Sequence, residues 1–294
     1  MSIATLAAYL LVAPPGFVFG PLAGLLLLSR PTTTREWAWL TGVLLWSALW
    51  LRQGGDLGAQ TTRAAAVFLS GSFVALTLWR PSPSVSRALA ATALAALAAV
   101  VWLGHFGIGW IDLQHAVGRD LAAAFREVRG DWERAGVPRA LVEQVAASGD
   151  TLVRLYPGLL AVAAIAGLRL AWTWYHRIAN HPWGAPPEPF SMFRFSDHLI
   201  WGVVVASGLC LLPVPPAGRL IGANLLLASA VLYGTRGLAI LRFRAGRLSA
   251  PFVLVLAVST LFLLPFVAGG LALVGLADTW VDFRRRHAAP HTGG

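Results

Sequence analysis

Apolar residues in this chain come in long blocks rather than in alternation. Residues 3–28 are apolar almost throughout, broken by Pro14 and Pro15, and read as one kinked helix or two short ones. Residues 37–51 and 64–79 follow, each shorter than the roughly 20 apolar residues that a spanning helix needs. Residues 88–110 reach full length. After a polar interruption at 111–150 come blocks at 152–174, 199–212, 220–241 and 251–276. With no internal repeat, the blocks predict an all-α polytopic membrane helical bundle of about eight transmembrane helices, seven to nine according to how the two ends are read. An unbroken helix over 251–276 would be about 39 Å long, more than a hydrocarbon core of about 30 Å requires. Pro265, Gly269 and Gly270 offer a break into a hairpin, so one helix and two both stay open.

The interruption has its own period. Val117, Leu121, Phe125, Val128 and Trp132 fall at spacings of four and three, with Arg119, Asp120, Arg126, Glu127 and Asp131 elsewhere around the helix. Pro138 suits the first turn of a second helix. Leu141, Val145, Ser148, Leu152 and Leu155 carry the pattern into the next span. This is an amphipathic helical pair lying on the membrane or capping the bundle. The expected organisation is a four-helix half at 1–110, this segment at 111–150, a second four-helix half at 151–287 and a disordered tail at 288–294. Between 175 and 198, Pro182, Pro186, Pro187 and Pro189 predict a stiff, extended linker. Phe190, Phe193 and Phe195 are expected to dip into the headgroup region. Ser196 or Asp197 stands where an N-cap belongs.

Composition supports a lipid solvent. Hydrophobic residues make up 57% of the 294-residue chain and charged ones 12%, against roughly 45–50% and about 25% in soluble domains. Mean hydropathy is +0.67. Every one of the 23 basic residues is Arg, which removes Schiff-base chemistry and Lys-dependent phosphate loops. The net charge of +10 does not point to nucleic acid, because the Arg residues flank apolar blocks singly or in pairs. Trp37, Trp79, Trp110, Trp172, Trp174, Trp201 and Trp280 stand near block ends, as an interfacial aromatic belt does. The first 28 residues lack a basic n-region and a small-residue cleavage site, so they read as membrane structure rather than a signal peptide.

Arg30, Arg35, Arg87, Arg177, Arg194 and Arg244 lie in loops that share one side, which the positive-inside rule makes cytoplasmic. Residues 111–150 carry five Arg against seven carboxylates and fall outside. Arg284, Arg285 and Arg286 disagree unless the last block is a hairpin. The expected location is the cytoplasmic (inner) membrane of a bacterium, with the lipid bilayer as the first partner.

Candidate chemistry is sparse. The single Cys, Cys210, excludes an internal disulfide and a thiolate metal cluster. His105 reads as an interface residue. Arg154 and Arg169 stand near opposite ends of one span, where both can snorkel. No HExxH, Gly-rich phosphate loop, nucleophile elbow or paired intramembrane carboxylate occurs. Hence no catalytic residue, metal ligand or cofactor is expected, and the protein reads as no enzyme. A clustering of His176, His181 and His198 would point the other way. Asn224 could join helices or contact a polar ligand. Arg236 and Asp278 could pair and neutralise each other.

The segments Phe193-Arg194-Phe195-Ser196-Asp197, Trp201, Asn224, Gly237-Leu238-Ala239 and Gly275-Leu276-Ala277-Asp278-Thr279-Trp280-Val281-Asp282-Phe283-Arg284 resemble the YybS-like family of multi-pass bacterial membrane proteins, a domain of unknown function. The resemblance covers roughly 190–286. That family is distantly similar to the S components of energy-coupling-factor transporters and to rod-shape membrane proteins of the MreD type. It implies a small helical module that binds a small solute or other envelope proteins, with Asn224, Trp201, Arg236 and Asp278 as candidate ligand-binding residues.

Two functions follow from these readings. A membrane-embedded solute-binding or transport-related subunit would hold a polar-lined cavity beneath the 111–150 cap, reached by Asn224. The alternative is a non-catalytic structural or assembly partner in the cell-envelope membrane, docking through the amphipathic pair.

Overall fold

The computed structural model describes residues 3–79, 83–245 and 263–283. All regular structure there is helical. Contacts divide the chain into two compact units, Met1–Pro187 and Glu188–Gly294, so the helix that follows the amphipathic pair packs with the elements before it.

In the first unit, α1 (Ile3–Val12) and α2 (Gly16–Leu28) are separate helices, because Pro14 and Pro15 interrupt the apolar block. Helix α2 is apolar on all sides, and Phe17, Leu22, Leu25 and Leu26 are fully buried. A helix of that kind belongs at the centre of a bundle. Around it pack α3 (Thr34–Arg52), α4 (Leu57–Trp79) and α8 (Gly149–Ile178), with α5 (Ser84–His105) against α4 and α8. Small residues permit the close approach: a Cβ at Gly167 of α8 would stand 3.0 Å from Phe17 O. Thr33 and Glu36 form a capping box at the start of α3. The buried Glu36 also accepts from Asn180 N at 2.8 Å, and Trp183 N donates to Tyr175 Oη at 2.8 Å. The stretch after α8 is thereby folded back onto its own unit.

The amphipathic pair is present as α6 (Trp110–Arg134) and α7 (Arg139–Ala147), with Pro138 just before α7. Helix α6 packs on α8 and α4.

In the second unit, 3-10 turns at Phe190–Met192 and Asp197–Leu199 precede α9 (Ile200–Leu211), α10 (Pro216–Ala245) and α11 (Leu264–Val281). Helix α10 packs against both α9 and α11. Pro265 lies in the first turn of α11, Leu263 before it is non-helical, and Gly269 and Gly270 lie inside the helix. Within the described part of the block, the helix therefore starts at its proline and runs unbroken through its glycines. Residues 251–262, Arg80, Arg247, Arg284–Arg286 and the tail expected at 288–294 lie outside the described residues.

Helices α4, α5, α8 and α10 are long and apolar enough to cross a membrane, while α2, the segment Asp197–Leu211 and most of α11 are shorter apolar helices. The surface is itself greasy: Trp79, Val100 and Leu211 are exposed. With lipid outside, such faces carry no penalty.

Two expectations are corrected. Trp172 is only 1% exposed and Trp174 is also buried, so these two indoles are packing residues rather than belt residues. Phe193 and Phe195 are likewise buried in the second unit, where the Phe195 ring meets Tyr233 edge-on at 5.1 Å.

Candidate functional site

In the second unit, charge is gathered around Arg236. Its side chain is 0% exposed and that of Asp278 1%, and Arg236 Nε donates to Asp278 Oδ2 at 2.9 Å. Arg236 Nη1 donates to Asp197 Oδ1 at 2.8 Å, although the Asp197 side chain is 46% exposed. Arg194 extends the chain outward, lying 3.9 Å from Asp197 Oδ2 and 3.4 Å from Asp282 Oδ2. Asp278 uses its second oxygen to accept from Phe283 N at 3.0 Å. That bond needs the chain to reverse after α11, and Asp282 does so at φ 44°, a left-handed conformation that Asp tolerates. The Phe195 ring lies under the guanidinium at 5.4 Å.

The pair exists because α10 and α11 touch backbone to backbone. A Cβ at Gly237 would run into Leu271 O, and one at Gly275 would run into Tyr233 O and lie 2.9 Å from Gly237 N. Gly237 follows Arg236, and Gly275 precedes Asp278 by three residues on the same helix. The glycine crossing thus fixes the distance between the charges.

Of the four candidate ligand-binding residues, Arg236 and Asp278 come together and the other two stand apart from them. Asn224 Nδ2 donates to Leu220 O of its own helix at 2.9 Å. Twelve residues of helix put Asn224 about 18 Å along the axis from Arg236. Trp201 is 66% exposed on α9. Sequence reasoning missed Asp197 in this role. Neither Asp197 nor Ser196 caps α9, whose N-cap is Leu199 without a side-chain bond; the Asp197 carboxylate is spent on Arg236 instead. Arg194 and Asp282 were also missed. Their signal was charge balance: acids and bases alternate at the ends of apolar blocks in this third of the chain.

In the first unit, a cavity of about 180 Å³ lies among α4, α5 and α8, with Trp110 and Leu113 of α6 at one end. Leu69, Ala95, Ala99 and Tyr156 are among its walls. The expected polar lining is absent. Thr61 Oγ1 donates to Leu57 O at 2.7 Å and Thr92 Oγ1 to Ala88 O at 2.8 Å, and Tyr156 Oη bonds Thr62 Oγ1 at 3.0 Å. Each hydroxyl that could have wetted the wall is engaged within or between helices, so what remains is apolar. Asn224 is not among the lining residues.

Outside the spans, the cap is joined to α4 through two acids. Asp120 of α6 shares a hydrogen bond with Asp56, which precedes α4 and whose Oδ1 accepts from Ala59 N at 3.0 Å. The shared bond, with some burial and the neighbouring negative charge, pushes the Asp120 carboxyl up to about 6. The same bond and the Ala59 amide hold Asp56 below its usual value. Gly58 makes room, since a Cβ there would lie 2.7 Å from Asp120 Oδ2.

Among the described residues no group of three His, Cys, Asp or Glu could hold a metal. His176 and His181 belong to the first unit and His198 to the second.

The family model described as predicted membrane protein (DUF2232) matches residues 60–279, so the chain belongs to this family. The match reaches well into the first unit, beyond the C-terminal third in which sequence motifs alone carried a resemblance. No curated protein and no solved structure matches the chain.

Proposed function

We propose that this member of the family is a non-catalytic, membrane-embedded solute-binding or transport-related subunit, comparable to the S components of energy-coupling-factor transporters. Its ligand carries an apolar body. The carrying observation is the cavity under α6: helices α4, α5 and α8 leave about 180 Å³ unfilled, walled by alanine, leucine and satisfied hydroxyls. The space is half open past the exposed Val100 and Trp110, and an apolar pocket of this kind takes an apolar guest in preference to water. The Arg236 centre serves the scaffold in this reading, because its cation already has two carboxylates. The host is the bacterial cytoplasmic membrane, with α6 and α7 on its outer side.

The experiment is chemical. Protein purified from membranes in mild detergent is extracted with organic solvent, and the extract is compared with that of Ala99→Phe, which fills the cavity. An apolar molecule present in the first extract and depleted in the second, with both proteins melting cooperatively, supports the proposal. Identical extracts contradict it.

The alternative, a structural or assembly partner in the envelope, is favoured by the exposed Ile111, Val128 and Leu141 on the cap. Replacing Val128 and Leu141 by Gln would then remove a co-purifying membrane protein and leave the extract unchanged.

A further inference from the structure

Arg87 differs from Arg236 in one respect that matters. It lies in the first turns of α5, is 5% exposed, and among the described residues makes no ion pair. Its Nε is buried without a hydrogen-bond partner. The guanidinium is held instead by aromatic faces, with its central carbon 4.1 Å from the Trp172 ring centroid and 5.5 Å from that of Phe73. Stacking of this kind occupies the flat face of a guanidinium and leaves its in-plane N–H donors for an acceptor.

The start of α5 adds to the demand for negative charge. A cation in the first turns of a helix faces the positive end of the macrodipole. Pro83 at the N-cap supplies no side-chain cap, and the first-turn amides of α5 before Arg87 have no intrahelical partner. A second donor group faces the same indole: the His176 ring lies 4.6 Å from Trp172, and its Nε2 is buried without a partner. The exposed Arg177 is the next residue of α8, and its carbonyl accepts from Arg35 Nη2 at 3.2 Å; these two cations share this end of the unit with the Glu36 carboxylate and the carbonyl end of α8.

We propose that the N-terminal turn of α5, Arg87 and His176 form a binding site for a phosphate group. The first-turn amides of α5, which have no partner among the described residues, supply directed donors, Arg87 a paired in-plane contact, and His176 a further donor when its Nε2 is protonated. The phosphate belongs either to an anionic lipid headgroup or to a free solute. The site is made of other residues than the cavity under α6, so the two proposals stand or fall separately.

The test uses the full chain in phosphatidylcholine nanodiscs and follows its unfolding temperature during titration with phosphatidylglycerol or with inorganic phosphate. The expected result is a saturable rise with at least one probe. A rise with phosphatidylglycerol alone identifies a headgroup site; a rise with inorganic phosphate identifies a site open to solutes. Arg87→Gln should weaken the apparent affinity about ten-fold or more, while Arg52→Gln, an exposed arginine of α3, should leave it unchanged. If Arg87→Gln does not fold, Arg87→Lys keeps the charge but loses the fork and the stacking, and it should still weaken binding. No saturable response of the unmodified protein to either probe overturns the proposal. So does an Arg87 variant that responds like the original.

Discussion

Gly237 and Gly275 face each other where α10 crosses α11, so closely that a Cβ on Gly275 would stand 2.9 Å from Gly237 N. The two helices can approach like this only while both positions lack a side chain. Between helices in lipid, van der Waals contact replaces the hydrophobic drive available in water, so backbone proximity is the main source of association. Gly275→Ala should lower the stability of the second unit by about 1–3 kcal/mol, the usual range for overpacking a close contact. Thermal unfolding in a fixed detergent measures it. An unchanged midpoint would mean that the crossing is loose.

The ion pair held by that crossing has a separate test. Asp278→Asn leaves the buried Arg236 with only the half-exposed Asp197 and should cost about 3–5 kcal/mol. Replacing both partners, Arg236→Leu with Asp278→Leu, should cost less than Asp278→Asn alone, because no charge is then stranded. A double-mutant cycle of Arg236→Leu, Asp278→Leu and the two together, read on unfolding free energies, decides it. Additive single effects would show that the two residues do not act as a pair.

Whether that pair could be foreseen depends on what the solvent makes visible. The apolar blocks, the break at Pro14 and Pro15 and the amphipathic period of α6 were legible, because each sets a long stretch of one kind of residue against another. An Arg236–Asp278 pair was legible too, since buried charge must be compensated. The directions of Trp172, Trp174, Phe193 and Phe195 were not. In water a core-facing side chain differs in polarity from a surface one, but lipid is as apolar as the core, so inward and outward positions read alike. The start of α4 at Leu57 rather than at residue 64 has a different cause: its first turns carry Gln60, Thr61 and Arg63, which stay helical outside the apolar block. Asp197 was misread because an acid just before a helix satisfies two demands, a cap and a counter-charge, and only tertiary contacts show which one it meets.

The acid pair at the cap makes its docking sensitive to pH. For Asp120 the folded value of about 6 lies above the ordinary 3.8, so its contribution is full below 3.8 and fades as pH rises through about 6. Asp56 is shifted downward, so its contribution is present above the ordinary value and fades as pH falls. The contact between α6 and α4 is therefore firmest between 3.8 and about 6. Hydrogen exchange over Trp110–Arg134, corrected for the intrinsic effect of pH, should be faster at pH 7.5 than at pH 5, and Asp120→Asn should remove the difference. Equal protection at both values in the unmodified protein would show that no proton is shared.

The cap of α3 is a local matter with a local cost. Glu36 accepts from Thr32 N at 3.0 Å, Thr33 N at 2.9 Å and Asn180 N at 2.8 Å. Glu36→Ala removes half of the capping box and should cost about 1–2 kcal/mol, with faster exchange at Asn180 amide as its particular sign. A loss of stability without any change at Asn180 would refute the tie between α3 and the segment after α8.

The central claim is that the cavity under α6 holds a ligand with an apolar body, and density in that space tests it most directly. An experimental structure of protein taken straight from membranes, without added solute, should show an elongated apolar molecule against Leu69, Ala95 and Leu113. Side chains closed across an empty cavity in that structure would contradict the account.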